Sequence, residues 1–208
     1  MNPHERAAKV IIDRVIGKIK NNSKKYVITL AGESGCGKTE TGKAFINELK
    51  KYEVDAIVLG QDNYFNLPPL PNDAKRKADP TWLGPAKEVD MEWMHNNLRD
   101  FLNGKPQITI PCIPYYSDKI EKQSLDVKDI NVLIAEGTYT SLLRNADLRI
   151  FIDADYHDTL QYRQLRNRGN EVNDPFVESI LETEHKIISG HKFLADIVIT
   201  KDYNVIFQ

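Results

Sequence analysis

Cysteine, long apolar runs and any surplus of one charge are all scarce in this chain. Cys36 and Cys112 are the only cysteines among 208 residues. Two thiols are too few for a disulfide framework or a thiolate zinc site, so a reducing cytoplasm is the expected setting. The longest apolar stretches, such as Val132 to Ala135 and Ile150 to Ile152, fall far short of the roughly 20 residues that cross a bilayer, which predicts a soluble chain with no membrane partner. The opening residues, Met-Asn-Pro-His-Glu-Arg, lack the basic stretch, apolar core and small-residue cleavage site of a secretory leader. Lys and Arg total 28 against 30 Asp and Glu, a net charge of −2. No global attraction to nucleic acid follows, and any polyanion must be met locally. The five histidines are scattered and predict no metal cluster.

What is present is enough apolar material, 41% of residues, for one core, and we expect a single domain over 1–208. Strand-like and helix-like segments alternate without an internal repeat, which predicts an α/β fold with a parallel sheet. Asn2, Pro3 and Glu5 read as a capped helix start, and Ala8, Ile12, Val15 and Ile19 follow at helical spacing. Strands are expected at Tyr26–Ala31, Ala56–Leu59, Val132–Ala135, Leu148–Ile152 and Ala195–Ile199. Helices are expected over about Lys38–Lys51, from Asp90 to Gly104, over about Asp158–Gly169 and from Asp174-Pro175 to Gly190. Between residues 68 and 85 lie five of the ten prolines. That density argues against a regular helix or central strand and for a long ordered excursion.

Gly32-Glu33-Ser34-Gly35-Cys36-Gly37-Lys38-Thr39 satisfies G-x-x-x-x-G-K-S/T between an apolar strand and a helix, where a phosphate cradle must sit. Glycines let successive N–H groups curl around phosphate oxygens, and the helix that opens through Lys38, Thr39 and Glu40 turns its positive end toward them. Lys38 reaches the β and γ oxygens, and Thr39 can hold Mg²⁺. Cys36 is a small filler, although Lys38 and the helix start could acidify it and leave it oxidation-sensitive. Glu33 is out of place beside phosphate unless it points away. A guanine-reading N-K-x-D is missing, Thr200-Lys201-Asp202-Tyr203 being the nearest approach. In so short a chain, transfer to a small-molecule acceptor is favoured over motor functions.

Four segments leave the carboxyl ends of strands: this loop, Gln61-Asp62-Asn63-Tyr64, Glu136-Gly137 and the arginine-rich stretch 158–170. In an open parallel sheet that edge is the ligand edge. Asp62 is then a general base for an attacking hydroxyl, or alternatively a turn aspartate. Glu136, ending an apolar strand, suits Mg²⁺ or its waters, the other option being an internally paired acid. Arg163, Arg166 and Arg168 are three of nine arginines within six residues. They read as a lid that neutralises phosphate charge, or more plainly as cations near a helix end.

These residues resemble the uridine kinase and phosphoribulokinase family of P-loop kinases. The resemblance is carried from Tyr26 to Ile199 by the loop Gly32 to Thr39, Asp62-Asn63-Tyr64-Phe65, Pro114-Tyr115-Tyr116, Ile134 to Gly137, Phe151-Ile152-Asp153, the lid arginines and Ala195 to Ile199. It implies a three-layer P-loop fold, with five parallel strands, helices on both faces and a lid. It also implies phosphotransfer from ATP with Mg²⁺ to a hydroxyl, with Asp62 as the base and Glu136 as the magnesium-linked carboxylate. The acceptor half departs from the family: Tyr116 is followed by Ser-Asp-Lys-Ile-Glu-Lys without histidine or arginine, and Asp79 to Pro85 replaces a phenylalanine-aspartate-x-proline element. A nucleoside such as uridine or cytidine is the nearest named acceptor. Pantothenate, a sugar phosphate and an ATP-binding regulator with little turnover are the alternatives.

Tyr64, Phe65, Trp82, Tyr115 and Tyr116 are candidates to stack on an acceptor, with Asp62, Tyr64 and Tyr116 as its expected contacts, though any one aromatic could instead pin its loop. Lys75-Arg76-Lys77 is expected to be a solvated charge run, and His185, sharing a face with Leu181 and Ile188, a supporting residue. Amphipathic faces such as that of the first helix would serve a core or a homo-oligomer contact equally.

Overall fold

The computed structural model describes residues 1–21, 25–113, 119–166 and 174–208, with backbone alone for 165 and 166. Helix α1 (Pro3–Asn21) opens with a reciprocal cap: Glu5 N–H donates to Asn2 Oδ1 (2.9 Å) and Asn2 N–H to Glu5 Oε2 (2.8 Å). Its face Ala7, Ala8, Ile11, Ile12, Val15 and Ile19 is buried, and the four larger side chains gain about 1.5–3 kcal/mol each from leaving water, before entropy.

Strand β1 (Tyr26–Gly32) is buried throughout and lies between β5 (Val132–Gly137) and β6 (Leu148–Asp153), both parallel to it. Beyond β5 lies β2 (Ala56–Gly60), and beyond β6 lies β7 (Ile197–Thr200), giving the parallel order β2-β5-β1-β6-β7. The five parallel strands are as expected. A sixth, β8 (Val205–Phe207), adds antiparallel to β7. Alternation sorts the two faces. Tyr26, Ile28 and Leu30 point to the layer of α1 and α2 (Lys38–Lys50), while Val27 and Ala31 point to the layer of α4 (Met91–Leu102) and α6 (Pro175–Ile188). The chain leaves β1 toward β2 and leaves β5 toward β6, so connections diverge around the end of β1, which is where a crevice opens in such sheets.

Two parts differ from expectation. The proline-rich excursion contains a helix, α3 (Pro69–Ala78). Pro69 and Pro71 fall in its first turn, where no intrahelical N–H is required, and residues 72–78 are proline-free, so proline density misleads here. The second is a separate antiparallel hairpin, β3 (Gln107–Cys112) with β4 (Glu121–Asp126). Pro111 is tolerated because a two-stranded hairpin has free edges.

Candidate active site

The loop from β1 to α2 requires its glycines twice over. Gly35 and Gly37 have φ of 85° and 90°, left-handed values that cost an L residue about 1–2 kcal/mol. A Cβ on Gly35 would meet Arg163 Cγ at 3.0 Å, and one on Gly37 would meet His4 Cε1 at 2.6 Å and Tyr203 Oη at 2.7 Å. The loop is therefore gripped from both ends of the chain. His4 Nδ1 lies 2.9 Å from Thr41 Oγ1, the His4 and Tyr203 rings meet edge-on at 4.5 Å, and burial pushes the Tyr203 phenol up to about 12.

Lys38, the first residue of α2, donates from Nζ to the carbonyls of Gly32 (2.9 Å) and Glu33 (2.8 Å). Its ammonium thus lies over the loop. Thr39 Oγ1 donates to Glu136 Oε1 (3.0 Å). Glu136 is placed there by register, opposite Leu30 of β1 on one side and Gly60 of β2 on the other. Asp62, two residues past Gly60 in a single 3-10 turn (Gln61–Tyr64), has an exposed side chain. The turn is pinned by Gln61, whose Oε1 accepts the Tyr139 N–H at 2.7 Å. Lys38, Thr39, Glu136 and Asp62 therefore stand along one rim. Loop amides, an ammonium, a hydroxyl and a carboxylate suit a magnesium nucleotide: Lys38 and the loop would take its phosphates, and Thr39 and Glu136 its metal. Glu40, one residue on, is exposed and paired with Lys43.

Glu33 turns its side chain into the protein. Its buried carboxylate accepts the Tyr156 N–H (2.8 Å) and contacts His185 Nδ1 (2.6 Å), with burial raising its pKa and the histidine opposing the rise. His185 is accordingly a support. Cys36 corrects an expectation: it is buried, and desolvation raises its pKa more than Lys38 lowers it, so it is not an acidified thiol. Tyr64 corrects another. It is 1% exposed, packed in the core, and its Oη is already taken, accepting from Asn97 Nδ2 at 2.7 Å.

Arg163 is buried against the loop, with Nη2 donating to the Tyr156 carbonyl (3.0 Å). It sits in α5 (Leu160–Arg166), and Thr159 Oγ1 just before it donates to the Ser34 carbonyl (3.2 Å). The side chain of Arg166, and Arg168, Tyr115 and Tyr116 entirely, lie outside the described residues. Arg76 is not a solvated charge: it pairs with Glu88, which is fully buried and also accepts from Asn72 Nδ2 (2.8 Å) and the Gly84 N–H (3.2 Å). Trp82 Nε1 donates to Asn72 Oδ1 (2.8 Å), so the indole pins its loop.

Sequence inspection passed over Glu184. Its Oε2 accepts from Ser34 Oγ at 3.0 Å, and burial pushes its carboxyl up. A signal existed, since Glu184 shares the buried face of α6 with Leu181 and Ile188, a position where an acid needs a reason. On the far side of β1 from Asp62, a cleft of about 530 Å³ opens at the ends of β6 and β7, bordered by Glu33, Asp155 and Lys201.

The sequence profile of the Phosphoribulokinase / Uridine kinase family matches residues 27–199. The chain belongs to that family. It is a P-loop kinase of the uridine kinase/phosphoribulokinase type, and membership supports ATP-dependent phosphotransfer to a small molecule. The uridine kinase of Ureaplasma parvum is 28% identical over 175 residues, 81% of each chain. A bifunctional alpha-galactosidase/sucrose kinase of Mediterraneibacter gnavus is 27% identical over 199 residues, 90% of this chain. The chain spans only 21% of that longer protein. The D-glycerate 3-kinase of Cryptococcus neoformans shares the fold at a TM-score of 0.65 and 10% identity, over 96% of this chain and 97% of its own. No helix among the described residues is long and apolar enough to cross a membrane.

Proposed function

We propose that this kinase transfers the γ-phosphoryl group of ATP to a hydroxyl of a nucleoside such as uridine or cytidine, with Asp62 as general base. The observation that supports this is the contact of Thr39 with Glu136, beside the pairing of β2 with β5 that sets Gly60, two residues before Asp62, opposite Glu136. Mg²⁺, when bound, neutralises phosphate charge and orients the phosphates for in-line attack. Lys38 leaves the loop carbonyls for the β and γ oxygens and stabilises charge that grows on the leaving ADP. Asp62 accepts the hydroxyl proton as the acceptor oxygen bonds to phosphorus and the bond from phosphorus to the β,γ-bridging oxygen breaks. Arg166 and Arg168 close over the phosphates from the β6 side, while Arg163, buried against the loop, braces it rather than closing over it. The same proposal places the enzyme in the cytoplasm as a single domain.

A sugar acceptor is the second reading, favoured by the likeness over 90% of the chain to the protein that carries a sucrose kinase. Radiolabelled ATP offered with uridine, cytidine, sucrose, fructose, glycerate and pantothenate separates the two. Label in uridine or cytidine monophosphate is expected, and label only in a sugar product moves the assignment to the second reading.

A further inference from the structure

Between the Asp62 turn and the phosphate loop lies a buried polar cluster assembled from four separate segments. Helix α3 supplies Asn72 and Arg76, the stretch before α4 supplies Glu88, the turn after β5 supplies Tyr139, and α6 supplies Glu184. Its position is fixed at three points. Glu184 accepts from Ser34 of the loop (3.0 Å), the Tyr139 N–H is held by Gln61 next to Asp62 (2.7 Å), and the Glu88 carbonyl accepts the Asn66 N–H (2.9 Å) just beyond that turn.

Most of the cluster is internally satisfied. Glu88 takes Asn72, Arg76 and the Gly84 amide, and Asn72 takes the Trp82 indole. The exception is the phenol of Tyr139, which is 1% exposed and whose Oη has no hydrogen-bond partner among the described residues. Leaving a buried hydroxyl unmade costs about 1–3 kcal/mol, which phenylalanine at the same place would not incur. The groups that bear on this phenol are Glu184, Glu88 and Arg76. The cluster thus holds a hydroxyl in need of a partner, beside a carboxyl, one step from both the base and the phosphate loop.

We propose that Tyr139 and Glu184, braced by the Arg76–Glu88 pair, recognise the acceptor, and that they read a neutral vicinal diol. The class follows from charge. Arg76 is matched by Glu88, Glu184 adds a carboxyl rather than a cation, and Lys38, the other cation that bears on Glu184, belongs to the phosphate loop, so among the described residues of the cluster no cation is left over for an acceptor carboxylate or phosphate. A carboxyl group sets two oxygens opposite adjacent hydroxyls, and a phenol both donates and accepts. A free sugar and the ribose of a nucleoside both present that diol. The inference rests on the kinase reading above and adds the residues that select the acceptor.

The test is steady-state kinetics of the purified full chain and of Tyr139→Phe, with labelled ATP and three acceptors: uridine, 2′-deoxyuridine and sucrose. Kd for a fluorescent ADP analogue and the melting temperature are measured in parallel. Tyr139→Phe is expected to raise KM for the accepted diol on the order of tenfold, leave the ADP Kd within about twofold and leave the melting temperature unchanged or higher. Preference for uridine over both others assigns the diol to ribose, and preference for sucrose assigns it to a sugar. An unchanged KM in Tyr139→Phe overturns the inference while leaving the kinase reading intact. So does equal use of uridine and 2′-deoxyuridine by a chain that does not prefer sucrose. No transfer by the wild-type chain to any acceptor defeats the kinase reading itself and the inference with it.

Discussion

The β6 side of the phosphate loop is held by neighbours that meet its backbone: Arg163 and Thr159 against Gly35, Thr159 on the Ser34 carbonyl, and His4 and Tyr203 against Gly37. The β2 side is built from side chains that meet one another, with Arg76, Asn72, Trp82 and Glu88 closed into a network and Glu184 reaching across to Ser34. A backbone cradle depends on glycine at fixed spacing and tolerates few sequences. A side-chain network can be rewritten residue by residue while the cradle stays as it is. The difference teaches why the phosphate half keeps the family's pattern while the acceptor half departs from it.

The sharpest way to break this comparison is Lys38→Ala. Removing the ammonium should lower kcat/KM on the order of 10²–10³ whichever acceptor is offered, with far-UV circular dichroism unchanged. Gly37→Ala comes next. Its methyl meets His4 and Tyr203 and its φ of 90° is strained, so the ADP Kd should rise about tenfold, corresponding to the 1–2 kcal/mol left-handed cost. Acceptor KM should hardly move, and an acceptor effect as large as the nucleotide effect would show that the two sides are not separable.

Tyr64→Phe sharpens the boundary between core and site. Loss of the Asn97 hydrogen bond should cost about 1 kcal/mol and lower the melting temperature by about 2–4 °C, with acceptor KM unchanged. The smallest effect concerns pH. Burial raises the pKa of Glu184, so the stability tied to its neutral form is present below the ordinary carboxylate range and is lost as pH rises through the raised value. Wild type should therefore lose stability relative to Glu184→Gln between pH 5 and pH 8, by about 3 °C or less, as followed by melting curves.

The cradle, the five parallel strands and the placement of Glu136 were legible because each rests on short-range rules: strand, glycine spacing, helix. Helix α3 was not, because proline counts ignore position, and Pro69 and Pro71 occupy the one turn that accepts them. Tyr64 looked like a site residue because it follows Asp62. Only packing shows that the 3-10 turn sends its ring into the core toward Trp93 and Asn97. The Arg76–Glu88 and Ser34–Glu184 contacts join residues 12 and 150 positions apart, and no local pattern announces them.

Asp62→Asn tests the central assignment most directly. The substitution keeps the shape of an exposed side chain and removes only its capacity to take a proton. Single-turnover transfer from ATP should fall on the order of 10²–10⁴, with the ADP Kd within about twofold of wild type. Transfer at the wild-type rate, measured with the acceptor saturating, would contradict Asp62 as the base.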